Sequence, residues 1–238
     1  IPDYGVDVVA DHTVGLLLGA VRKIPQVVAH VKQGGWSYPR LSPIMELQGK
    51  VLGLAGFGNI ARAVARRMQA FDMQVLAHDP YVEDEQFTQL GVQKVDQEEL
   101  LRQSDILSIH LPLTTKTKHW LDWEALQKMK THAYVINTAR GGVVNTEDLA
   151  QALREGIIAG AGLDVLEQEP ITDDHPLLPL QQCIITSHCA SYSVESHRRL
   201  HEYAAQELAR LFRGERPKHI VNGVEPESIP VPIKVREA

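Results

Sequence analysis

The 238-residue chain is 44% hydrophobic, enough for a sizeable α/β core, and its 24 Lys plus Arg against 30 Asp plus Glu leave a net charge of -6. That acidic balance argues against a general nucleic-acid or anionic-membrane surface while allowing a local basic site for an anion. No apolar run approaches the roughly 20 residues of a membrane span, no basic segment marks a signal peptide, and the two cysteines, Cys183 and Cys189, show neither metal-ligand spacing nor a disulfide pattern, so a reduced cytoplasmic setting is expected, with both thiols packed as small hydrophobes.

Residues 9–33 read as one long helix. Val14, Leu17, Leu18 and Val21, then Ile24, Val27, Val28 and Val31, recur close to a 3.6 period. Pro25 should kink this helix and Gly34-Gly35 should end it. A loop with Pro39, Pro43 and Gly49 follows. Val51–Ala55 is then a short apolar run before glycines, a buried strand. Alternation continues from there: helix 59–71, strand 74–78, helix 96–103, strand 105–111, helix 122–130, strand 134–139, helix 145–155, and strands 159–165 and 183–188. Asn145 is the expected N-cap of its helix, with Asp148 placed to complete a capping box. Residues 193–212 form a last amphipathic helix, and the Pro-rich, charged tail beyond Arg216 is expected to wrap a surface or remain loose. Short strands alternating with helices predict an α/β fold, a Rossmann-type doubly wound parallel sheet. The expected organisation is an opening helix over 1–35, a dinucleotide-binding domain over 36–192, and a C-terminal helix and tail over 193–238.

The stretch Gly53-Leu54-Ala55-Gly56-Phe57-Gly58-Asn59-Ile60-Ala61 places Gly56, Gly58 and Ala61 in the pattern G-x-G-x-x-G/A. The first glycine permits a tight strand-to-helix turn, the second lets backbone approach a pyrophosphate, and the small third residue lets helix pack on strand. The helix beginning at Asn59 and Ile60 offers free N–H groups to phosphates. By itself such a turn is weak evidence, but here a strand precedes it and a helix follows. Asp79 ends the next strand, where a carboxylate accepts the ribose hydroxyls of NAD and repels the extra phosphate of NADP; the bland alternative is a turn former before Pro80.

Arg140, Glu169 and His188 follow or end three later predicted strands, the edge at which open α/β sheets bind ligands. An Arg fork can hold a carboxylate through two hydrogen bonds, and a His can protonate a developing alkoxide during carbonyl reduction. A Glu beside that ring would orient it and favour its acid form. Singly, each has a plain alternative: a surface charge, a turn residue before Pro170, an interior histidine. Together, beside a dinucleotide turn, they favour catalysis. His197 and His201 have helical zinc-ligand spacing, but with no third ligand evident a solvated helix face is the better reading, and no metal site is expected. Cys189 beside His188 suggests a nucleophile that this chemistry does not need.

Several segments, in order along the chain, make the sequence resemble the D-isomer-specific 2-hydroxyacid dehydrogenases: Val9-Ala10-Asp11-His12-Thr13, the glycine turn, His78-Asp79-Pro80-Tyr81, His110-Leu111-Pro112-Leu113-Thr114, Asn137-Thr138-Ala139-Arg140-Gly141-Gly142, Leu163-Asp164-Val165 with Glu169-Pro170, and His188-Cys189-Ala190. The likeness runs from residue 2 to about 223. His188-Cys189-Ala190-Ser191-Tyr192-Ser193 looks most like the branch of C-terminal-binding corepressors and their bacterial dehydrogenase relatives.

The resemblance implies an NAD-dependent oxidoreductase on a small 2-keto or 2-hydroxy acid. Arg140 would bind the substrate, and His188 with Glu169 would form the acid/base pair. Asp164 would meet the nicotinamide carboxamide, and Thr138, Ala139, Ala190 and the backbone of His110, Leu111 and Pro112 would line the cofactor, with Thr13 near the nicotinamide end. It also implies a homodimer through the opening helix, with no nucleic acid or membrane as direct partner. The other function class is an NAD(H)-responsive corepressor-like binder without significant turnover. Family members carry a substrate domain ahead of Val9; its absence here, with no initiator Met, is read as a truncation, and residues 1–238 alone are expected to bind NAD weakly and turn over little.

Overall fold

A computed structural model describes residues 2–37 and 42–220. Pro39 and the tail from 221 onward, both singled out in the sequence, lie outside the described residues.

The chain forms two compact units, Val9–Ala190 and the described residues of Ile1–Val8 with Ser191–Ala238. The larger unit is built on a seven-stranded, all-parallel sheet of order β3-β2-β1-β4-β5-β6-β7. The strands are β1 Val51–Ala55, β2 Gln74–His78, β3 Gln93–Lys94, β4 Ile106–Ile109, β5 Tyr134–Asn137, β6 Gly160–Leu163 and β7 Cys183–Ile185. The helices are α1 Val6–Val21, α2 Ile24–Lys32, α3 Asn59–Gln69, α4 Asp84–Thr88, α5 Gln97–Gln103, α6 Trp123–Gln127, α7 Thr146–Glu155 and α8 Val194–Phe212. This is the doubly wound Rossmann architecture expected from the alternation.

Strands β4, β5 and β6 are buried along their whole length. That burial is why they read as mostly apolar runs without an in–out alternation, with Ser108 and Asn137 as buried polar exceptions. Leu52, Leu54, Ile106, Leu107, Val135 and Ile136 are fully buried, each contributing about 1.5–3 kcal/mol of apolar burial. Helix α3 packs with Ala61, Ala63, Val64 and Ala65, all fully buried; small residues let helix and sheet approach closely.

The structure departs from the sequence expectations in four places. Residues 9–33 are not one kinked helix but two, bent by 60°. Pro25 falls in the first turn of α2, and Lys23 takes a left-handed conformation at φ 53. A proline ring there would strike the carbonyl four residues back, so α1 stops and the chain restarts. Among the described residues, no single helix is long and apolar enough to cross a membrane.

Next, the capping box on α7 forms only by half. Asn145 caps Glu147 N and Asp148 N, but the Asp148 carboxylate accepts from Trp123 N at 2.9 Å instead of turning back. It joins α6 to α7. On α8 the full reciprocal box does form, between Ser193 and Ser196.

Two elements escaped the pattern altogether, α4 and the two-residue β3. Helix α4 is short and polar but for Phe87, which is buried and stacks on Phe57 with ring centroids 4.3 Å apart. That stack, worth about 0.5–1.5 kcal/mol beyond area burial, braces the glycine turn from below. Finally, β7 ends at Ile185, short of His188. His188 sits in a turn with φ 54, a conformation that costs a non-glycine residue free energy and needs its surroundings to hold it.

Candidate active site

The carboxyl ends of β1 and β4 are neighbours at the point where strand order reverses, where α/β sheets open a ligand crevice. Gly56 turns the chain out of β1 at φ 91, and its N–H reaches His78 O at 2.9 Å. A Cβ there would lie 2.9 Å from His110 O, so only glycine fits. Gly58 caps α3 without a side-chain hydrogen bond, and nothing lies within 4 Å of where its Cβ would be. An open space against an uncapped helix N-terminus fits a pyrophosphate; Asn59 and Ile60 begin that helix.

Asp79 closes the other side. Its carboxylate accepts from Phe57 N at 2.9 Å and Tyr81 N at 3.0 Å, which ties the end of β2 to the glycine turn. His110 follows β4, with Nε2 2.9 Å from Ser108 Oγ. Desolvation pushes its ring down to about 4, so it is neutral at pH 7. Leu111 packs against the core cluster, and Pro112 O accepts from Thr117 Oγ1 at 2.6 Å.

Thr13 is fully buried, its hydroxyl between Val9 O and Thr138 Oγ1, both at 2.7 Å. It therefore braces Thr138 from α1. Ala139 N donates to Asn137 Oδ1 at 3.0 Å, and Asn137 Nδ2 donates to Arg140 O at 3.0 Å. Asn137 thus moulds the turn that presents Arg140; an Asn ending a buried strand was the overlooked signal. Gly141 follows because a Cβ there would fall 1.9 Å from Leu166 C and 2.0 Å from Leu166 O.

Arg140, Glu169 and His188 line one cavity of about 760 Å³, with Leu113, Lys118 and Leu166. Arg140 is exposed, with Nη1 on Ala139 O at 2.6 Å. His188 Nδ1 and Glu169 Oε2 are 2.7 Å apart, and Leu166 N donates to Glu169 Oε1 at 2.8 Å. Desolvation pushes the Glu169 carboxyl up, but the hydrogen bonds from His188 and Leu166 N outweigh it and hold it below its ordinary value.

Glu169 is therefore ionised at neutral pH, and its negative charge beside His188 is lost only as pH falls through a value below its ordinary one. Carboxyl-carbon NMR of Glu169 is expected to show that low midpoint, and to show it moving upward in His188→Gln. An unchanged midpoint would mean the pair does not form in solution.

Asp164 organises the His188 turn. Its carboxylate is almost fully buried, accepting from Thr186 Oγ1 at 2.5 Å, Ala190 N at 2.8 Å and Cys189 N at 3.0 Å. Its carbonyl accepts from His188 N at 2.8 Å. His12 Nε2 lies 3.0 Å from Thr186 Oγ1. Asp164 and Ala190 thus meet each other in the interior, and the turn around His188 is pinned on both flanks. Desolvation raises the Asp164 carboxyl, but Thr186, the Ala190 and Cys189 N–H groups and His12 together bring it below its usual value.

A second His–Glu pair was not anticipated. His119 Nε2 is 2.6 Å from Glu167 Oε1, and Glu167 Oε2 accepts from Thr146 N at 2.7 Å. Glu167 therefore anchors the β6 loop to the start of α7. Cys183 is half-buried, and desolvation pushes its thiol up to about 12; Cys189 is exposed, unlike the packed thiol expected of it. On α8 the rings of His197 and His201 touch, with His201 Nδ1 2.7 Å from His197 O.

Residues 14–190 match the family described as D-isomer specific 2-hydroxyacid dehydrogenase, NAD binding domain. A glyoxylate reductase of Thermofilum pendens is 42% identical over 93% of this chain and 66% of its own length. A D-3-phosphoglycerate dehydrogenase of Methanocaldococcus jannaschii is 40% identical over 93% of this chain but 42% of its own. The crystal structure of D-lactate dehydrogenase from Aquifex aeolicus, complexed with NAD and lactic acid, superimposes with a TM-score of 0.84 at 33% identity, covering 90% of this chain and 69% of that one. The chain thus spans no more than about two thirds of these relatives.

Proposed function

Because the chain belongs to the D-isomer specific 2-hydroxyacid dehydrogenases and contains their NAD-binding domain, we propose that the protein interconverts a small 2-keto acid and its D-2-hydroxy acid. The observation that carries this reading is the hydrogen-bonded His188–Glu169 pair in the same cavity as Arg140.

When bound, NAD(H) would supply the hydride needed at the keto carbon in reduction and take it up in oxidation. The glycine turn with Gly56, Gly58, Asn59 and Ile60 would hold the pyrophosphate, and Asp79 would take the ribose hydroxyls. His110, Leu111, Pro112, Thr138, Ala139 and Ala190 would line the remainder, with Thr13 near the nicotinamide end and Asp164 toward the carboxamide. Arg140 grips the substrate carboxylate through two donors. Glu169, ionised, fixes the His188 tautomer with the proton on Nδ1. Nε2 is then the atom that gives a proton to the carbonyl oxygen in reduction and takes it back in oxidation.

The test is NADH oxidation by the full-length protein with glyoxylate, pyruvate and hydroxypyruvate. Glyoxylate comes first because the 42%-identical relative is named for its reduction. Turnover of at least one is expected; NADH binding with no turnover of any would overturn the assignment.

The same reading includes a homodimer through α2. That helix buries none of its residues, and Ile24, Val28 and Val31 are 49%, 45% and 43% exposed along one face. Such a stripe fits a twofold contact between two copies. Val28→Asp with Val31→Asp is expected to convert a dimer to a monomer in light scattering, and a mass unchanged from wild type would refute this interface.

A further inference from the structure

Three side chains around the His188 turn form a cluster whose chemistry differs from that of the acid/base pair. His12 on α1, Asp164 after β6 and Cys189 after β7 bring an imidazole nitrogen, a carboxylate oxygen and a sulfur within 4.8 Å of one another. His12 Nε2 is 3.4 Å from Asp164 Oδ1, and Cys189 Sγ is 3.6 Å from the same oxygen. A tetrahedral zinc ion has bonds of about 2.0–2.1 Å to nitrogen, 2.0–2.2 Å to oxygen and 2.3 Å to sulfur. Those bond lengths require N–O and O–S edges of about 3.4 and 3.6 Å. The two edges that meet at Asp164 Oδ1 already have those lengths, and the nitrogen and sulfur lie within 4.8 Å of each other, so only that third edge has to adjust on binding.

We infer that His12, Asp164 and Cys189 form a binding site for a soft divalent cation of the zinc type, with the fourth coordination position open. The donor set suits that class, since imidazole and thiolate select zinc over magnesium or calcium. Thr186 and the backbone N–H groups of Cys189 and Ala190 fix the carboxylate, the outer shell such a site requires. Entry is through Cys189, the exposed member of the three. On binding, the Cys189 S–H bond breaks, its proton goes to solvent and a sulfur–metal bond forms. Nothing is oxidised or reduced. Sequence spacing does not announce the site, because its ligands lie on separate elements.

Binding does not depend on the proposed activity, but one consequence does. Because Cys189 adjoins His188, the ion is expected to inhibit keto-acid reduction, and Cys189→Ser is expected to relieve that inhibition at normal basal turnover.

The test uses the full-length protein stripped with a chelator, then titrated with Zn²⁺ by calorimetry and with Co²⁺ by absorption. One ion per chain and a thiolate-to-cobalt charge-transfer band are expected. Cys189→Ser should abolish the band and, like His12→Gln, weaken Zn²⁺ binding by more than about tenfold, with thermal melts matching wild type. His197→Gln with His201→Gln should change neither. Absence of one-to-one binding, affinity unaffected by both Cys189→Ser and His12→Gln, or affinity lost only with His197 and His201, would overturn the site.

Discussion

Replacing His188 with Asn is expected to lower kcat for keto-acid reduction by about 10²–10⁴-fold, the usual loss when a positioned general acid is removed, while NADH affinity stays unchanged. The expectation rests on how the ring is held. Its Nδ1 is 2.7 Å from Glu169, and its backbone N–H is 2.8 Å from Asp164 O. Asn also tolerates the left-handed φ of 54 better than most residues, so the turn should survive and the loss should fall on the chemical step. Fluorescence titration with NADH separates the two. Wild-type kcat in His188→Asn would remove His188 from the mechanism. Glu169→Gln should lower kcat less, because the ring remains and loses only its charged partner.

Arg140→Gln is expected to lower kcat/KM for 2-keto acids by about 10–10²-fold, since a charge-assisted bidentate contact carries about 1.5–3 kcal/mol and its loss strands a carboxylate. Arg140→Lys should recover little, because a point charge does not reproduce the planar fork. The backbone offers an independent route to the same loss. In Gly141→Ala, the new Cβ would lie 1.9 Å from Leu166 C, so the Arg140 turn and the β6 loop must move apart. That variant should lose activity and also melt at lower temperature, whereas Arg140→Gln should keep the wild-type melt. Steady-state kinetics with glyoxylate and calorimetric melts distinguish them; a kcat/KM in Arg140→Gln within twofold of wild type would end the carboxylate-binding role.

Legibility in the sequence followed local physics. The glycine turn was readable because Gly56 needs a positive φ and a close approach that no other residue allows. The central strands were readable because burial on both faces leaves short runs such as Ile106–Ile109 and Tyr134–Asn137 mostly apolar and free of charge. Helix α4 was not, because its one buried side chain, Phe87, gains its meaning from Phe57, far away in sequence. The opening helix was over-extended because periodicity continues across Pro25 while the backbone cannot.

The site divides along the same line. Residue type and order by themselves determined that a dinucleotide turn precedes an Arg, a Glu and a His in the segments that follow three later strands, since each of those segments is a local pattern. Only the tertiary structure decided how the acidic residues are used. Glu167 and Glu169 are near neighbours in the sequence, yet one anchors His119 and the start of α7 while the other meets His188. Asp164 has its carboxylate turned inward, where it holds the His188 turn and lies within reach of His12 and Cys189. The reason is that a hydrogen bond a few ångströms long is set by where β5, β6, β7 and α1 meet, and no pattern along one segment records that meeting.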